Sequence, residues 1–176
     1  MEKNSGKRIN MSEEVEVSLY RKIKTLTDKF WNRIIINHYG IKIGKKATIN
    51  GKIQVQGNKN AIIIENNVTL NSDAISVPLG YQPHIYFWCF DRGSIHIGEG
   101  SGISNATLCS ANNITIGKNV LIGGGAKIFD TNFHSLVYEK RIDIVNDDDR
   151  KNAPILIEDG AFIGAGSIIL KGVTIG

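Results

Sequence analysis

The chain repeats its apolar residues on a six-residue beat. One nine-residue phrase carries it: IKIGKKATI from Ile41, IIIENNVTL from Ile62, IHIGEGSGI from Ile95, ITIGKNVLI from Ile114 and ILIEDGAFI from Ile155. A further phrase, VTIG, opens at Val173. The first, third and ninth positions are apolar, the fourth is Gly or Glu, and the seventh is small (Ala47, Val68, Ser101, Val120, Ala161). Neither an amphipathic helix nor an alternating strand has this period. It predicts an all-β fold, a parallel β-helix of hexapeptide repeats, with one short strand and one corner per hexad. In such a fold coils stack, so that backbone groups pair with the coil above and the coil below. Asn and Gly suit corners that need left-handed backbone angles.

Two stretches break the beat. Ile155 to Val173 is one clean coil of three hexads, whereas Ile62 to Ile95 and Ile114 to Ile155 are much longer. The first long stretch contains the aromatic run YQPHIYFWCF, Tyr81 to Phe90. The second contains IFDTNFHSLVYEKR, Ile128 to Arg141, and with it His134. Insertions in solenoids commonly gather on a binding face, and long loops on a rigid scaffold carry function. A loop over 129–153 is therefore the expected functional excursion. The aromatic run is either packing, at a subunit interface or in the core, or one wall of an acceptor pocket.

Residues 1–40 precede the repeat. From Ser12 to Tyr39, Leu19, Ile23, Leu26, Phe30 and Ile34 fall at helical spacing. Ser12 suits the N-cap, Glu13, Glu14 and Glu16 the first turns, and Gly40 the end. This predicts a helix that covers the open end of the β-helix and shields its strand edges. The alternative is a helix lying on a membrane surface through Arg21, Lys22, Lys24, Lys29 and Arg33. The domain plan is thus 1–40 as polar tail and amphipathic helix, and 41–176 as β-helix.

Composition narrows the classes. The 176 residues are 41% hydrophobic and 22% charged, enough for one domain with a core. No apolar run is long enough for a transmembrane helix, and the polar start, MEKNSGKRIN, lacks the core of a signal peptide. A cytoplasmic location is the expectation, and two cysteines, Cys89 and Cys109, fit a reducing compartment. A net charge of +4 allows an anionic partner, but no basic stripe interleaved with aromatics points to nucleic acid. His38, His84 and His96 have no mutual spacing of a metal site, so no metal is expected.

The hexads, followed by IFDTNFHSL and then ILIEDGAFIGAGSIILKGVTIG, resemble the hexapeptide-repeat acyltransferases. The nearest likeness is to sugar O-acetyltransferases, such as galactoside and maltose acetyltransferases and those that decorate surface polysaccharides. The likeness spans about Gly40 to Gly176. It implies a left-handed β-helix, a homotrimer, and acetyl-CoA bound between adjacent subunits. It also implies that the loop histidine, His134, is catalytic, and that the backbone around Ala165, between Gly164 and Gly166, meets the thioester end of CoA. Relatives often have Asp where Asn132 stands and Trp where Phe162 stands, and they continue for further coils, so the chain reads as truncated at Gly176. Their acidic contacts to the sugar are replaced here by CSANN, Cys109 to Asn113.

Acetyl transfer to an alcohol needs a base for the hydroxyl, donors for the oxyanion and a proton for the thiolate. A histidine serves the first and last, and backbone N–H groups the second. No acyl-enzyme is needed, so neither cysteine has to be a nucleophile. Asp130 either orients the imidazole of His134 or caps a turn. Arg141 either meets an anionic substrate group or pairs with Asp143. Asn132, Arg141 and Asn105 are the candidates for binding the acceptor. The run Asn146 to Lys151 reads as a solvated loop. N-acyl transfer to an amino sugar and a non-catalytic β-helix scaffold remain the alternative functions, and a metal-dependent hydratase on this fold would need more histidines than the loop offers.

Overall fold

The computed structural model describes residues 11–77, 83–142 and 150–176, with side chains from residue 16 onward. A long helix, α1 (Met11–Tyr39), precedes a stack of parallel strands. The first coil runs through β1 (Lys42–Ile43), β2 (Thr48–Gly51) and β3 (Gln54–Gly57). The second runs through β4 (Ile62–Ile64), β5 (Thr69–Ser72) and β6 (Tyr86–Cys89), and the third through β7 (Ile95–Ile97), β8 (Gly102–Ser104) and β9 (Thr107–Ser110). The fourth holds β10 (Ile114–Ile116), β11 (Leu121–Ile122) and β12 (Lys127–Phe129). After a short helix, α2 (Tyr138–Arg141), the fifth holds β13 (Ile155–Ile157), β14 (Phe162–Ile163) and β15 (Ile168–Leu170), and β16 (Thr174–Ile175) opens the sixth.

Corresponding strands of successive coils pair in parallel into three sheets. Their orders are β1-β4-β7-β10-β13-β16, β14-β11-β8-β5-β2 and β15-β12-β9-β6-β3. We call these the first, second and third faces, the second being β2 to β14 and the third β3 to β15. This is an all-β, parallel β-helix-like architecture. The register stacks like on like: Ile62, Ile95, Ile114 and Ile155 align on the first face, and Leu70, Ile103, Ile122 and Ile163 on the second. All eight are buried. Each such side chain contributes about 1.5–3 kcal/mol on burial.

The corners obey the phrase as well. Its sixth position, Lys46, Asn67, Gly100, Asn119 or Gly160, has positive φ in every coil. That conformation is easy for Gly, tolerated by Asn and strained for Lys. The small seventh position then turns inward, with Val68, Ser101 and Val120 fully buried. The Ser101 hydroxyl keeps its place inside by donating to the Gly117 carbonyl and accepting from the Val120 N–H, at 2.8 and 3.0 Å.

Two expectations are corrected here. Part of the aromatic run is not excursion: Tyr86–Cys89 is the regular strand β6, with Phe87 and Cys89 buried, and the inserted residues lie between β5 and β6. Tyr81 and Gln82 lie outside the described residues. Helix α1 does end at Tyr39, with Gly40 at φ +61°, but Ser12 falls inside it rather than at its cap. Its apolar stripe is not the docked face: Leu19, Ile23, Leu26, Phe30 and Ile34 are exposed. Among its described side chains the buried ones are Asp28 and Asn32. The reason is the first coil, which has no coil beneath it to satisfy its backbone. The Asn32 amide donates to the Gly51 carbonyl and accepts from the Ile53 N–H, while the Trp31 indole N–H donates to the Ile53 carbonyl. Among the described side chains of α1, apolar cover for the core comes from the last turns, through Ile35, Ile36 and Tyr39.

Candidate active site

The excursion between β12 and β13 leaves the corner that joins the third face to the first. Asp130, the first residue beyond β12, is fully buried. Its carboxylate accepts from the Ser110 hydroxyl at 2.6 Å and from the N–H groups of Ala111 and Asn112 at 2.7 and 3.0 Å. It therefore caps the turn of the coil below. The loop closes on itself directly above. Thr131 and Asn152 form an antiparallel bridge, the Asn132 N–H donates to the Lys151 carbonyl, and the Ala153 N–H donates to the Asp130 carbonyl. The chain thus departs and returns at one point.

Phe133 follows with φ +64°, a conformation that a bulky residue rarely adopts. Its N–H donates to the Thr131 hydroxyl. Its ring lies 6.0 Å from Trp88 and 6.3 Å from Phe90, at interplanar angles of 27° and 25°, and meets Phe129 edge-on at 5.3 Å. His134 comes next and is exposed, whereas Ser135 is buried. The Arg141 guanidinium donates to the Ser135 and Leu136 carbonyls at 3.0 and 3.4 Å, so it braces its own loop. Asp143, its other suggested partner, lies outside the described residues, as do residues 146–149 of the solvated run. Near the far end of the loop, Arg150 pairs with Asp91 at 3.5 Å.

Asn132 is half-buried, and its side-chain N–H₂ is enclosed without a hydrogen-bond partner. Asn105 shares that property at its side-chain oxygen, but at a different corner, between the second and third faces. There its amide donates to the Asp73 carbonyl at 3.1 Å. Gly164, Ala165 and Gly166 occupy this same second corner two coils further on. The Gly166 N–H donates to the Gly124 carbonyl. A Cβ on Gly123 would lie 2.5 Å from the Ala165 nitrogen, so only glycine lets the two coils close here. Beside them the second face has a pocket of about 370 Å³, lined among others by Gly102, Leu121, Gly123 and Phe162. Within one chain, then, Asp130, Asn132, His134 and Arg141 gather at one corner, and Asn105 with Gly164–Gly166 at another. The third face lies between them.

The remaining candidates are accounted for locally. Burial pushes the Cys89 and Cys109 thiols up to about 12, with the neighbouring Asp130 carboxylate adding to it. Such thiols are poor nucleophiles near neutrality. His96 lies 3.0 Å from Glu65, whose carboxyl is held below its usual range by the Glu99 backbone N–H and then by His96 itself. His84 contacts the Ser72 carbonyl, and His38 packs edge-on to Tyr39. Among the described residues no group of three or more His, Cys, Asp and Glu could hold a metal ion, and no helix is long and apolar enough to cross a membrane.

Sequence reasoning missed the partnership of Phe133 with Trp88 and Phe90. The available signal was strand parity: in YFWC the first and third residues alternate with the buried second and fourth. Compared with family models, with curated proteins and with solved structures, the chain matches none.

Proposed function

We propose that the chain is an acetyl-CoA-dependent O-acetyltransferase of the hexapeptide-repeat type, built on a left-handed β-helix and acting on a sugar or polysaccharide-precursor hydroxyl. The observation that carries this reading is the presentation of His134. The largest break in the repeat is closed at its base by the Thr131–Asn152 bridge, anchored by buried Asp130, and exposes one imidazole. A scaffold with no such task would gain nothing from so heavily braced a loop.

In the reaction His134 takes the proton of the acceptor hydroxyl as its oxygen attacks the thioester carbonyl. The carbon–sulfur bond breaks, the acetyl group ends on the acceptor oxygen, and the imidazolium returns the proton to the departing thiolate. Acetyl-CoA supplies the activated acyl group. Ala165 and Gly166, exposed beside half-buried Gly164, and the pocket bounded by Phe162 suit its pantetheine arm, since they offer an open strip with an apolar wall. Because these groups and His134 lie on separate corners of one chain, a working site joins one corner of each of two adjacent copies. That geometry supports a homotrimer with sites between subunits.

The test is thiol release from acetyl-CoA over a panel of sugars, with wild type and His134→Asn side by side. We expect the variant to lose ~10²–10⁴ in turnover and to keep its affinity for CoA. Retention of near wild-type turnover would remove His134 from the chemistry. Turnover confined to amino sugars, with amide products, would make the enzyme an N-acyltransferase.

A further inference from the structure

We propose that Phe133 is a positioning residue for this reaction: its ring, clasped by Trp88 and Phe90, holds the left-handed turn that puts His134 at the surface. The inference rests on His134 being the base. It begins from an oddity. Glycine or asparagine adopts a φ of +64° readily, yet the chain places a phenylalanine there. A strained backbone persists only where its surroundings over-determine it, and such sites gather where geometry matters for function.

The surroundings are visible. Trp88, Cys109 and Phe129 are successive members of one register column on the third face. Trp88 and Phe129 belong to coils two apart, and the Phe133 ring touches both, so it bridges the intervening coil. The small Cys109 in that coil leaves room for the bridge, and it is only 4% exposed. Phe90 completes the clasp, packed 4.8 Å from Trp88. Offset aromatic contacts at these separations are favourable beyond their buried area. The aromatic run of the second coil and the loop of the fourth are thereby one device. The ring is the anchor, and the exposed imidazole on the very next residue is what the anchor aims. Neither Phe133 nor its partners need touch a substrate.

The experiment uses the full chain, with steady-state kinetics on acetyl-CoA and the best acceptor of the sugar panel, hydrogen exchange of the amides at 131–137, and thermal unfolding. Phe133→Leu keeps apolar bulk but loses the flat stack. We expect kcat to fall about 10–100-fold, the effect of a displaced catalytic group, with KM for acetyl-CoA within about twofold. Exchange at 131–137 should quicken while the unfolding midpoint barely moves. Trp88→Leu should reproduce this pattern, and Phe133→Tyr should restore kcat. Unchanged kcat in Phe133→Leu, failure of Tyr to restore it, or a loss matched by global unfolding would overturn the proposal. His134→Asn run alongside separates the two ideas. If it is inactive while Phe133→Leu is fully active, only the positioning role falls; if His134→Asn is active, the base assignment falls and takes this role with it.

Discussion

Asp130 and His134 stand four residues apart in one loop and have opposite surroundings. The carboxylate is sealed beneath the loop with three donors, and the imidazole is at the surface. The spacing left open whether the acid orients the base or caps a turn, and the described hydrogen bonds give it the cap. Cys89 and Cys109 share that sealed environment, and their titration makes a prediction. Their folded pKa values, about 12, lie above the ordinary thiol value of about 8.5. The fold therefore binds these protons more tightly than the unfolded chain does. The associated stability is intact below the ordinary thiol range and is lost as pH rises from there towards 12. Urea unfolding should show a falling midpoint above about pH 9, and Cys89→Ala with Cys109→Ala should flatten that fall. Iodoacetamide at pH 8 should label neither thiol until the protein is unfolded.

At the scale of elements, the helix and the first coils are joined by polar groups. Lys24 bridges Asp28 at 2.6 Å and Asp73 at 3.3 Å, reaching from α1 to the loop after β5. Burial alone would raise Asp73, but hydrogen bonds from Ser76 and Lys24 outweigh it and hold its carboxyl below the usual range. Burial alone would lower Lys24, and its two carboxylate partners outweigh that and raise it. The sign follows for each. The Asp73 contribution is present above about pH 4, the ordinary carboxylate value, and disappears as pH falls through the lowered one. The Lys24 contribution is present below its ordinary value and is lost only in strong alkali. Trp31 fluorescence should therefore report release of α1 in acid, before the β-helix unfolds. Asp73→Asn should weaken docking by about 1–2 kcal/mol at neutral pH and should largely remove the acid dependence of the Trp31 signal. An acid transition unchanged in that variant would place the sensitivity elsewhere.

For the whole molecule, the two candidate corners set the requirement. On the proposed reading His134 and the Gly164–Gly166 strip act on one acetyl group, and they stand at separate corners of the chain with the third face between them, so activity should depend on assembly. Light scattering should find a trimer at micromolar concentration, and turnover per chain should fall on dilution in step with trimer loss. A sharper check mixes His134→Asn with an Ala165→Arg variant whose strip is obstructed, since Ala165 is exposed on that strip. Each alone should be inactive, and mixed trimers should recover turnover at sites that pair an intact histidine with an intact strip. A fully active monomer would refute the shared site.

The parallel coils, their buried columns and the place of the long loop were legible in the residues, because a β-helix writes the same local rule into every coil. Ile at the first and third positions, a small seventh and a turn-forming sixth are set by sterics within a few residues of each other. The third face was less legible: Val55, Phe87, Leu108, Ile128 and Ile169 align in register without a shared phrase around them. The helix was legible as a helix and misread as a surface. Apolar spacing marks a face, but the end of the first coil presents unpaired backbone, and Asn32 rather than Leu26 answers it. The site divides the same way. His134 stood out because it interrupts a periodic text, whereas the clasp on Phe133, the burial of Asp130 and the separation of the two corners arise from residues far apart in sequence. The sequence by itself determined the coil, since coil geometry is local. Tertiary structure alone decided which side chains meet between coils, since that depends on how many residues each excursion adds before the next coil stacks.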